Sequence, residues 1–196
     1  KEGRIPEKLR KLDTDATWSK SAYHGWVYGY AIHMTCNEDA FPAMGQVETA
    51  SVSESEILDQ KEDVILEQLQ PQTLAADDAY TKAMRIRRWA KRGVALLTPA
   101  LKWVTGRFAR AYHRFIKLPD IVEHLGKRRT SVEPLFDLIA KVIGTTAKQK
   151  QLPVQRIENV RSCLALATLS VQISTIANSI WGLPRRNISE MASAFQ

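Results

Sequence analysis

Two aspartates near the start of the chain, Asp13 and Asp15, have the residue type and spacing of a metal-binding pair. They stand at the end of residues 8–13, which read as a first strand, and side chains two residues apart on a strand point to the same side. Two carboxylates on one strand face are unfavourable unless a cation or another partner balances their charge. The sequence therefore predicts a cation site here. The alternative is a turn-forming or helix-capping Asp-Thr-Asp.

Further carboxylates follow at two later points in the chain. Asp77 and Asp78 come directly after a short predicted strand, and Glu133 lies on a predicted helix. Oxygen ligands of this type are preferred by hard cations such as Mg²⁺. Each acid also has a structural alternative: one of the aspartates can cap a helix that begins at Thr81, and Glu133 can pair with Arg129 four residues before it.

The charge of the chain is strongly uneven. The 196 residues carry a net charge of +7, yet eleven acids and one base, Lys61, lie between Glu38 and Asp78. From Lys82 to Arg129 the balance reverses to fourteen bases and two acids, a net charge of +12. A basic block of this size indicates a polyanionic partner, with nucleic acid ahead of an anionic membrane.

The remaining composition indicates a single globular domain. The two cysteines, Cys36 and Cys163, lie far apart and indicate neither a disulfide framework nor a zinc site, which favours an intracellular protein. Residues 1–10 are charged and do not resemble a signal peptide.

Residues 162–183 contain no charge, but polar residues interrupt them, so we predict a buried helix closing the back of a sheet. A membrane span is the alternative.

Hydrophobic patterning predicts an α/β fold. Three strands joined by short links, the third antiparallel to the second, form a meander, and strands then alternate with helices. A polar connection is expected at residues 18–21, and irregular or partly helical structure at 98–129. The predicted strands are residues 8–13, 25–36, 44–53, 73–76 and 94–97, and the predicted helices are 53–69, 81–92, 129–143 and 155–181, of which the last is the longest.

The ends and faces of three helices are also predicted. Ser53 or Ser55 is expected to cap the first helix, and the residues of that helix expected to face water are Glu54, Glu56, Asp59, Glu62 and Asp63. Gly93 and Gly144 are expected to end the second and third helices, and Phe136 is expected on the buried face of the third.

Four segments together resemble the DDE transposases of bacterial insertion sequences. In chain order they are LDTDATWSKSAYHGWVYGYAIHM, LAADDAY, RRTSVEPLFDLIAK and ENVRSCLALATLSVQIS. The resemblance implies a ribonuclease-H-like fold, in which an antiparallel three-strand meander is followed by parallel strands in one mixed sheet with helices on both faces. It implies one catalytic domain over residues 1–183. Residues 182–186 end the last predicted helix, so a loosely held tail is expected at 184–196. Whether a longer protein carries an N-terminal DNA-binding region ahead of these residues is left open.

The acidic triad of that family maps onto Asp13, Asp77 and Glu133. Asp15 and Asp78 are the rival positions. By resemblance, these three carboxylates hold Mg²⁺ or Mn²⁺, with two ions expected, and catalyse cleavage and strand transfer at the ends of an insertion sequence. Hard cations bound by carboxylates suit this chemistry, since they activate an attacking oxygen and stabilise the leaving 3′ oxygen.

The third segment departs from the family signature at two positions. Arg129 and Glu133 keep their spacing, but Gly126 stands in place of a tyrosine and Ala140 in place of a lysine, with Lys141 one position later. A shift of one residue rotates a helical side chain by about 100°. The departure affects DNA contacts more than the metal site. It keeps open the alternative of an inactive remnant that binds DNA without cutting it.

The partners implied are double-stranded DNA, at transposon ends and target, and a second copy of the chain, since these transposases act as homodimers on paired ends. No membrane is expected, and the location implied is the bacterial cytoplasm and its nucleoid. The four histidines are expected to be structural, and Trp26, Tyr28 and Tyr30 to lie in the core. The predicted DNA-binding residues are Lys82, Arg85, Arg88, Lys91, Arg92, Arg107, Arg110, Arg114, Arg128, Arg129 and Lys141.

Overall fold

A computed structural model describes residues 12–21, 25–99, 106–145 and 152–188 of the chain. Its elements are β1 (Thr17–Ser21), β2 (Gly25–Cys36), β3 (Pro42–Thr49), α1 (Glu54–Val64), β4 (Thr73–Ala75), α2 (Ala83–Lys91), β5 (Ala95–Leu97), α3 (Arg107–Phe115), α4 (Pro119–Ile143) and α5 (Ile157–Ile180). A π-helical turn, Ile65–Leu69, extends α1, and a 3₁₀ turn, Asp78–Tyr80, follows β4.

The described strands form two sheets. The first has the order β1-β2-β3, with β1 and β2 antiparallel and Trp18 opposite Tyr28. The second pairs β4 with β5 in parallel, as expected for strands joined by the helix α2. The mixed α/β class with antiparallel and parallel pairing agrees with the prediction. We predicted one sheet, however, and the hydrogen-bonded ladders within the described ranges form two.

The chain divides into two compact units. The first comprises Lys1–Met34, Gly45–Val52 and Asp137–Gln196, and the second comprises Thr35–Met44 and Ser53–Phe136. The prediction of a single domain over residues 1–183 stays a prediction.

The core of the second unit is built from α1, α2, α3 and β5. Trp89 is fully buried at its centre, among Leu58, Ile65, Ile86 and other apolar side chains. Tyr112 joins this core through its ring, while its hydroxyl accepts a hydrogen bond from the backbone N–H of Thr98 at 2.8 Å. A buried hydroxyl needs such a partner, because its desolvation is otherwise uncompensated.

Several local signals predicted their elements correctly. Ser53 caps α1 by accepting from the backbone N–H of Glu56 at 3.2 Å, so Ser53 rather than Ser55 is the cap. Gly93 and Gly144 follow the ends of α2 and α4 with φ of +82° and +79°, the left-handed conformation that glycine adopts readily. β2 has the predicted bounds.

Other predictions were wrong. Residues 18–21 form most of β1 rather than a polar connection, and the predicted strand at 8–13 has no strand structure at 12 and 13, while 8–11 lie outside the described residues. The expectation of irregular or partly helical structure at 98–129 agrees with α3 and with the first turns of α4, but α4 begins ten residues before the predicted helix start at 129. Phe136, expected on the buried face of α4, is exposed.

The helix α5 is less buried than we predicted. Seven of its 24 residues are buried, whereas Leu166, Leu169, Ile173, Ile176 and Ile180 are exposed. By length and composition alone, α5 is able to span a membrane. At its end the Asn178 amide donates to the carbonyl oxygens of Pro184, Arg185 and Asn187 and so holds residues 184–187 against the helix. The remainder of the predicted tail, 189–196, lies outside the described residues.

Candidate active site

Asp13 lies in a tight turn that precedes β1. Its side-chain Oδ1 accepts a hydrogen bond from the backbone N–H of Asp15 at 3.2 Å, and its carbonyl oxygen accepts from the N–H of Ala16 at 3.3 Å. This arrangement is an aspartate turn. The strand-face argument for Asp13 and Asp15 was therefore wrong, although both carboxylates do lie close to the start of a strand.

The same two aspartates cap the N-terminus of α5. Asp13 Oδ2 accepts from the backbone N–H of Arg156 at 2.8 Å, and Asp15 Oδ2 accepts from that of Ile157 at 3.2 Å. The first N–H groups of a helix have no partner within the helix, and carboxylates there are favoured by its dipole. The helix-capping alternative is thus what the structure shows, with the helix 142 or 143 residues away in sequence.

Two tyrosines of β2 also donate hydrogen bonds to Asp13. The Tyr30 hydroxyl donates to Asp13 Oδ2 at 2.7 Å, and the Tyr28 hydroxyl donates to the Asp13 carbonyl oxygen at 2.5 Å. We predicted a core role for both tyrosines, but their hydroxyls bind a candidate catalytic residue. The regular spacing of aromatics along β2 was the signal available in the sequence.

These contacts favour the ionised form of Asp13. Burial by itself raises the pKa of its carboxyl, but hydrogen bonds from the Tyr30 hydroxyl and from two backbone N–H groups outweigh it, so the pKa is lowered. Burial and the neighbouring Asp13 charge raise the pKa of Tyr30. Since a carboxylate has about four lone-pair sites, Asp13 retains capacity at Oδ1 to bind a cation.

Asp77 is the N-cap of the 3₁₀ turn after β4. Its Oδ1 accepts from the backbone N–H of Ala79 at 3.0 Å. Glu54, at the start of α1, belongs to the same acidic neighbourhood: partial burial, followed by the charges of Asp77 and Asp78, raises its pKa. Glu54 is exposed, as predicted, but its separation from Asp77 and Asp78 in the sequence gave no indication that the three acids lie near one another.

A buried arginine holds the Asp77 turn in place. Arg85 is 1% exposed, and its Nη1 donates to the Tyr80 carbonyl oxygen at 2.6 Å. Its Nε and Nη2 donate to the two carboxylate oxygens of Asp59 at 2.8 and 2.7 Å, and Nη2 also contacts Ser55. This planar, bidentate pairing is geometrically specific, so α1, α2 and the turn are joined by one side chain.

Glu133 is exposed on α4. No ion pair joins it to Arg129 within the described residues, so the structural alternative of an i, i+4 pair does not hold. The preceding turns of α4 are fixed within the second unit by Glu38: Ser131 Oγ donates to its carbonyl oxygen at 2.6 Å, and Lys127 Nζ lies 3.1 Å from its carboxylate. The carboxylate of Glu133 is therefore available to a ligand.

The three predicted acids belong to different units. Asp13 lies in the first unit, and Asp77 and Glu133 lie in the second. Among the residues that the structure describes, no three histidine, cysteine, aspartate or glutamate side chains form a group that could hold a metal ion. The oxygen donors themselves have the chemistry that Mg²⁺ and Mn²⁺ prefer.

The basic residues of α2 are largely neutralised, which corrects part of the predicted DNA-binding set. Arg85 is buried and paired with Asp59. Arg88 forms ion pairs with Asp59 and with Glu62, the latter at 2.6 Å. Arg92 pairs with Asp63 and, at 3.4 Å, with Glu62. Glu62, which we expected to face water, is buried by these contacts.

Other basic residues remain accessible. Arg87, absent from our predicted set, stacks over the ring of Phe108 with its Cζ 4.3 Å from the ring centroid. Arg128, a member of the predicted set, is half-buried. Seven further members of that set are exposed: Lys82, Lys91, Arg107, Arg110, Arg114, Arg129 and Lys141.

Comparison with known proteins gives one match. The family described as "Transposase DDE domain" matches residues 4–153, which include Asp13, Asp77 and Glu133. No curated protein and no solved structure matches the chain. The matched region is 150 of 196 residues, well over half of the chain. Together with the order of the acidic segments, it shows that the chain belongs to the transposase DDE domain family.

Proposed function

We propose that this chain is the catalytic domain of a DNA transposase that cleaves the ends of an insertion sequence and joins them to target DNA. The observation that carries the proposal is the family match, because it spans all three acids that the sequence segments assign to the triad. A location in the bacterial cytoplasm, at the nucleoid, belongs to the same proposal.

In this proposal Asp13, Asp77 and Glu133 hold Mg²⁺ or Mn²⁺, with two ions as the expected number. Their oxygen donors suit hard cations. Ions bound there supply an activated oxygen nucleophile and charge stabilisation at the leaving 3′ oxygen.

The role of the chain's own residues is to keep Asp13 ionised and to orient both Asp13 and the turn that carries Asp77. Hydrogen bonds from Tyr30 and from the Arg156 N–H hold Asp13 as a carboxylate. Arg85 fixes the turn that carries Asp77. A carboxylate that is oriented by neighbouring hydrogen bonds binds a cation with less loss of conformational freedom.

The DNA contacts in this proposal come mainly from α3 and from the exposed lysines of α2. Arg107, Arg110 and Arg114 are exposed on α3 and have no acidic partner within the described residues. Phosphate contacts of this kind position a duplex without reading its sequence. Arg88 and Arg92 contribute less, because their charges are already paired.

A homodimer is the proposed assembly, and α5 offers a surface for it. Its exposed apolar residues follow the alternating three- and four-residue spacing of a coiled-coil seam: Leu166, Leu169, Ile173, Ile176 and Ile180. Residues 162–183 carry no charge, so two positively charged copies meet no repulsion along this stripe. The stripe is about 21 Å long, which suits a weak, concentration-dependent dimer better than a permanent one.

An inactive DNA-binding remnant is the second candidate. Its support is that Asp13 already accepts three hydrogen bonds and Asp15 caps a helix, together with the substitutions at Gly126 and Ala140. Such a protein would bind DNA with steep salt dependence and would not cut it.

Calorimetric Mn²⁺ binding and cleavage of a labelled DNA end test the two candidates. For a transposase, Asp77→Asn is expected to abolish both, while Glu67→Gln, which changes an exposed acid of the same unit, is expected to leave both unchanged. Normal cleavage by the Asp77→Asn protein would refute the triad. Folded wild-type protein that binds DNA but shows neither metal binding nor cleavage, with a DNA end present, would establish the remnant.

A further inference from the structure

Two tryptophans of the β1–β2 hairpin are exposed to an unusual degree. Trp18 is 60% exposed and Trp26 is 67% exposed, although we predicted that Trp26 lies in the core. Tryptophan carries the largest apolar surface of any side chain and is normally mostly buried. Two such side chains open to solvent on one hairpin indicate a binding surface.

The strand register places both tryptophans on one face. Trp18 lies opposite Tyr28, and Lys20 lies opposite Trp26. Directly paired residues share a face of an antiparallel sheet, and so do residues two apart on one strand. Trp18, Lys20, Trp26 and Tyr28 therefore form one surface, which we call the tryptophan face.

The tryptophan face leads directly to Asp13. The ring of Trp18 packs on that of Tyr28 with centroids 5.1 Å apart, and the Tyr28 hydroxyl donates to the Asp13 carbonyl oxygen at 2.5 Å. Tyr30, the next residue on the same face, donates to the Asp13 carboxylate. A ligand that lies on this face is thus adjacent to the first acid of the proposed triad.

The charge of the hairpin suits a nucleic acid. Residues 16–36 include no acid, and Lys20 is exposed on the tryptophan face itself. Aromatic rings with a nearby cation are the combination that binds single strands: bases stack on the rings, and the cation contacts the backbone. A lipid surface is also contacted by tryptophan and lysine, but it gives no reason for the face to adjoin a carboxylate.

We propose that the tryptophan face binds unpaired bases of a DNA strand by stacking on Trp18 and Trp26, with Lys20 contacting phosphate, and so guides the strand to Asp13. The proposal rests on the proposed DNA-cutting function for its ligand class. Binding itself needs neither metal nor catalysis.

The test uses the whole chain and a fluorescently labelled deoxythymidine oligonucleotide of about 15 nucleotides, compared with a duplex of equal length, in metal-free buffer. Trp18→Leu and Trp26→Leu are each expected to weaken single-strand binding about tenfold and to leave duplex binding unchanged. Trp18→Phe and Trp26→Phe retain an aromatic ring and are expected to restore most of the affinity. Trp181→Leu, which changes an exposed tryptophan outside the hairpin, is the control.

Lys20→Gln provides a second readout, because loss of one phosphate contact is expected to reduce the slope of log affinity against log salt by about 0.7 for a single strand. Unchanged single-strand binding by both leucine variants would overturn the proposal. So would an equal loss of single-strand and duplex binding, or binding to phosphatidylserine vesicles that depends on these tryptophans while single strands do not bind.

This proposal and the proposed transposase function can fail independently of each other. A protein that never cleaves DNA but shows tryptophan-dependent single-strand binding refutes catalysis and keeps this inference. An active transposase whose leucine variants bind single strands normally refutes this inference alone.

Discussion

Asp59→Asn is expected to destabilise the second unit through the buried Arg85. In the wild-type protein the two carboxylate oxygens of Asp59 accept from Arg85 at 2.8 and 2.7 Å, while Arg85 is 1% exposed. The asparagine keeps the size of the side chain and one acceptor oxygen, but it removes the charge that compensates the buried guanidinium. Removing one partner of a buried pair costs more than the pair itself contributes.

The magnitude follows from the acidity of Asp59. Hydrogen bonds from Arg85, followed by those from Arg88, lower its pKa from 3.8 to about 2. At about 1.4 kcal/mol for each pKa unit, the favourable interaction with the ionised form is about 2 kcal/mol, discounted slightly for its partial exposure. A group with a lowered pKa stabilises the fold above its unfolded pKa, and this contribution is lost as the pH falls toward the folded pKa. The variant should therefore be less stable than the wild type by about 2 kcal/mol at pH 7, and the difference should shrink between pH 4 and pH 2.

Urea unfolding followed by tryptophan fluorescence measures this, since Trp89 is fully buried in the core of the same unit. Asp63→Asn is the matched control: Asp63 is 74% exposed and pairs with the exposed Arg92, so its loss should change the free energy of unfolding far less. Equal effects of the two substitutions at pH 7 would refute the reasoning, as would a deficit for Asp59→Asn that persists unchanged down to pH 2.

Three further predictions concern Asp13, DNA binding and assembly. Tyr30→Phe removes a hydrogen-bond donor to Asp13. It is expected to raise the pKa of Asp13 toward its ordinary value, which NMR titration measures. It is also expected to lower the free energy of unfolding at pH 7 by about 1 kcal/mol, which urea unfolding measures. The stability deficit should disappear below the wild-type pKa of Asp13, and a deficit independent of pH would contradict this. Arg110→Ala is expected to reduce the slope of log duplex affinity against log salt concentration by about 1. Arg88→Ala should change this slope less, because the charge of Arg88 is already paired. Fluorescence anisotropy measures both slopes, and equal values for the two variants would show that the ion pairs do not limit DNA contact. Ile173→Arg should abolish concentration-dependent association in sedimentation velocity, and a wild-type protein that stays monomeric at high concentration would exclude the α5 stripe as the dimer surface.

Local signals allowed the sequence to determine much of the architecture. The aromatic and β-branched run of β2, the Ser53 cap of α1 and the glycines after α2 and α4 each act through neighbouring residues, so their elements could be predicted. The α/β class followed from the order of the predicted strands and helices, and the family followed from the four segments that resemble it. The start of α4 was misplaced because charged residues and Gly126 interrupt the apolar pattern of its first turns, whereas α3 lies within the segment that was expected to be irregular or partly helical.

For the site, the sequence assigned the candidate acids, but only the tertiary structure decided what surrounds them. Asp13 was predicted on a strand, whereas its hydrogen bonds come from Tyr30 and Arg156, 17 and 143 residues away. Arg85 was predicted to bind DNA, yet it pairs with Asp59, 26 residues earlier. Charged residues follow one face of α1 and one face of α2, and sequence patterning alone assigns such faces to water. Packing of the two helices against each other converted them into an ion-pair network, because burial decides whether a charge is solvated or paired.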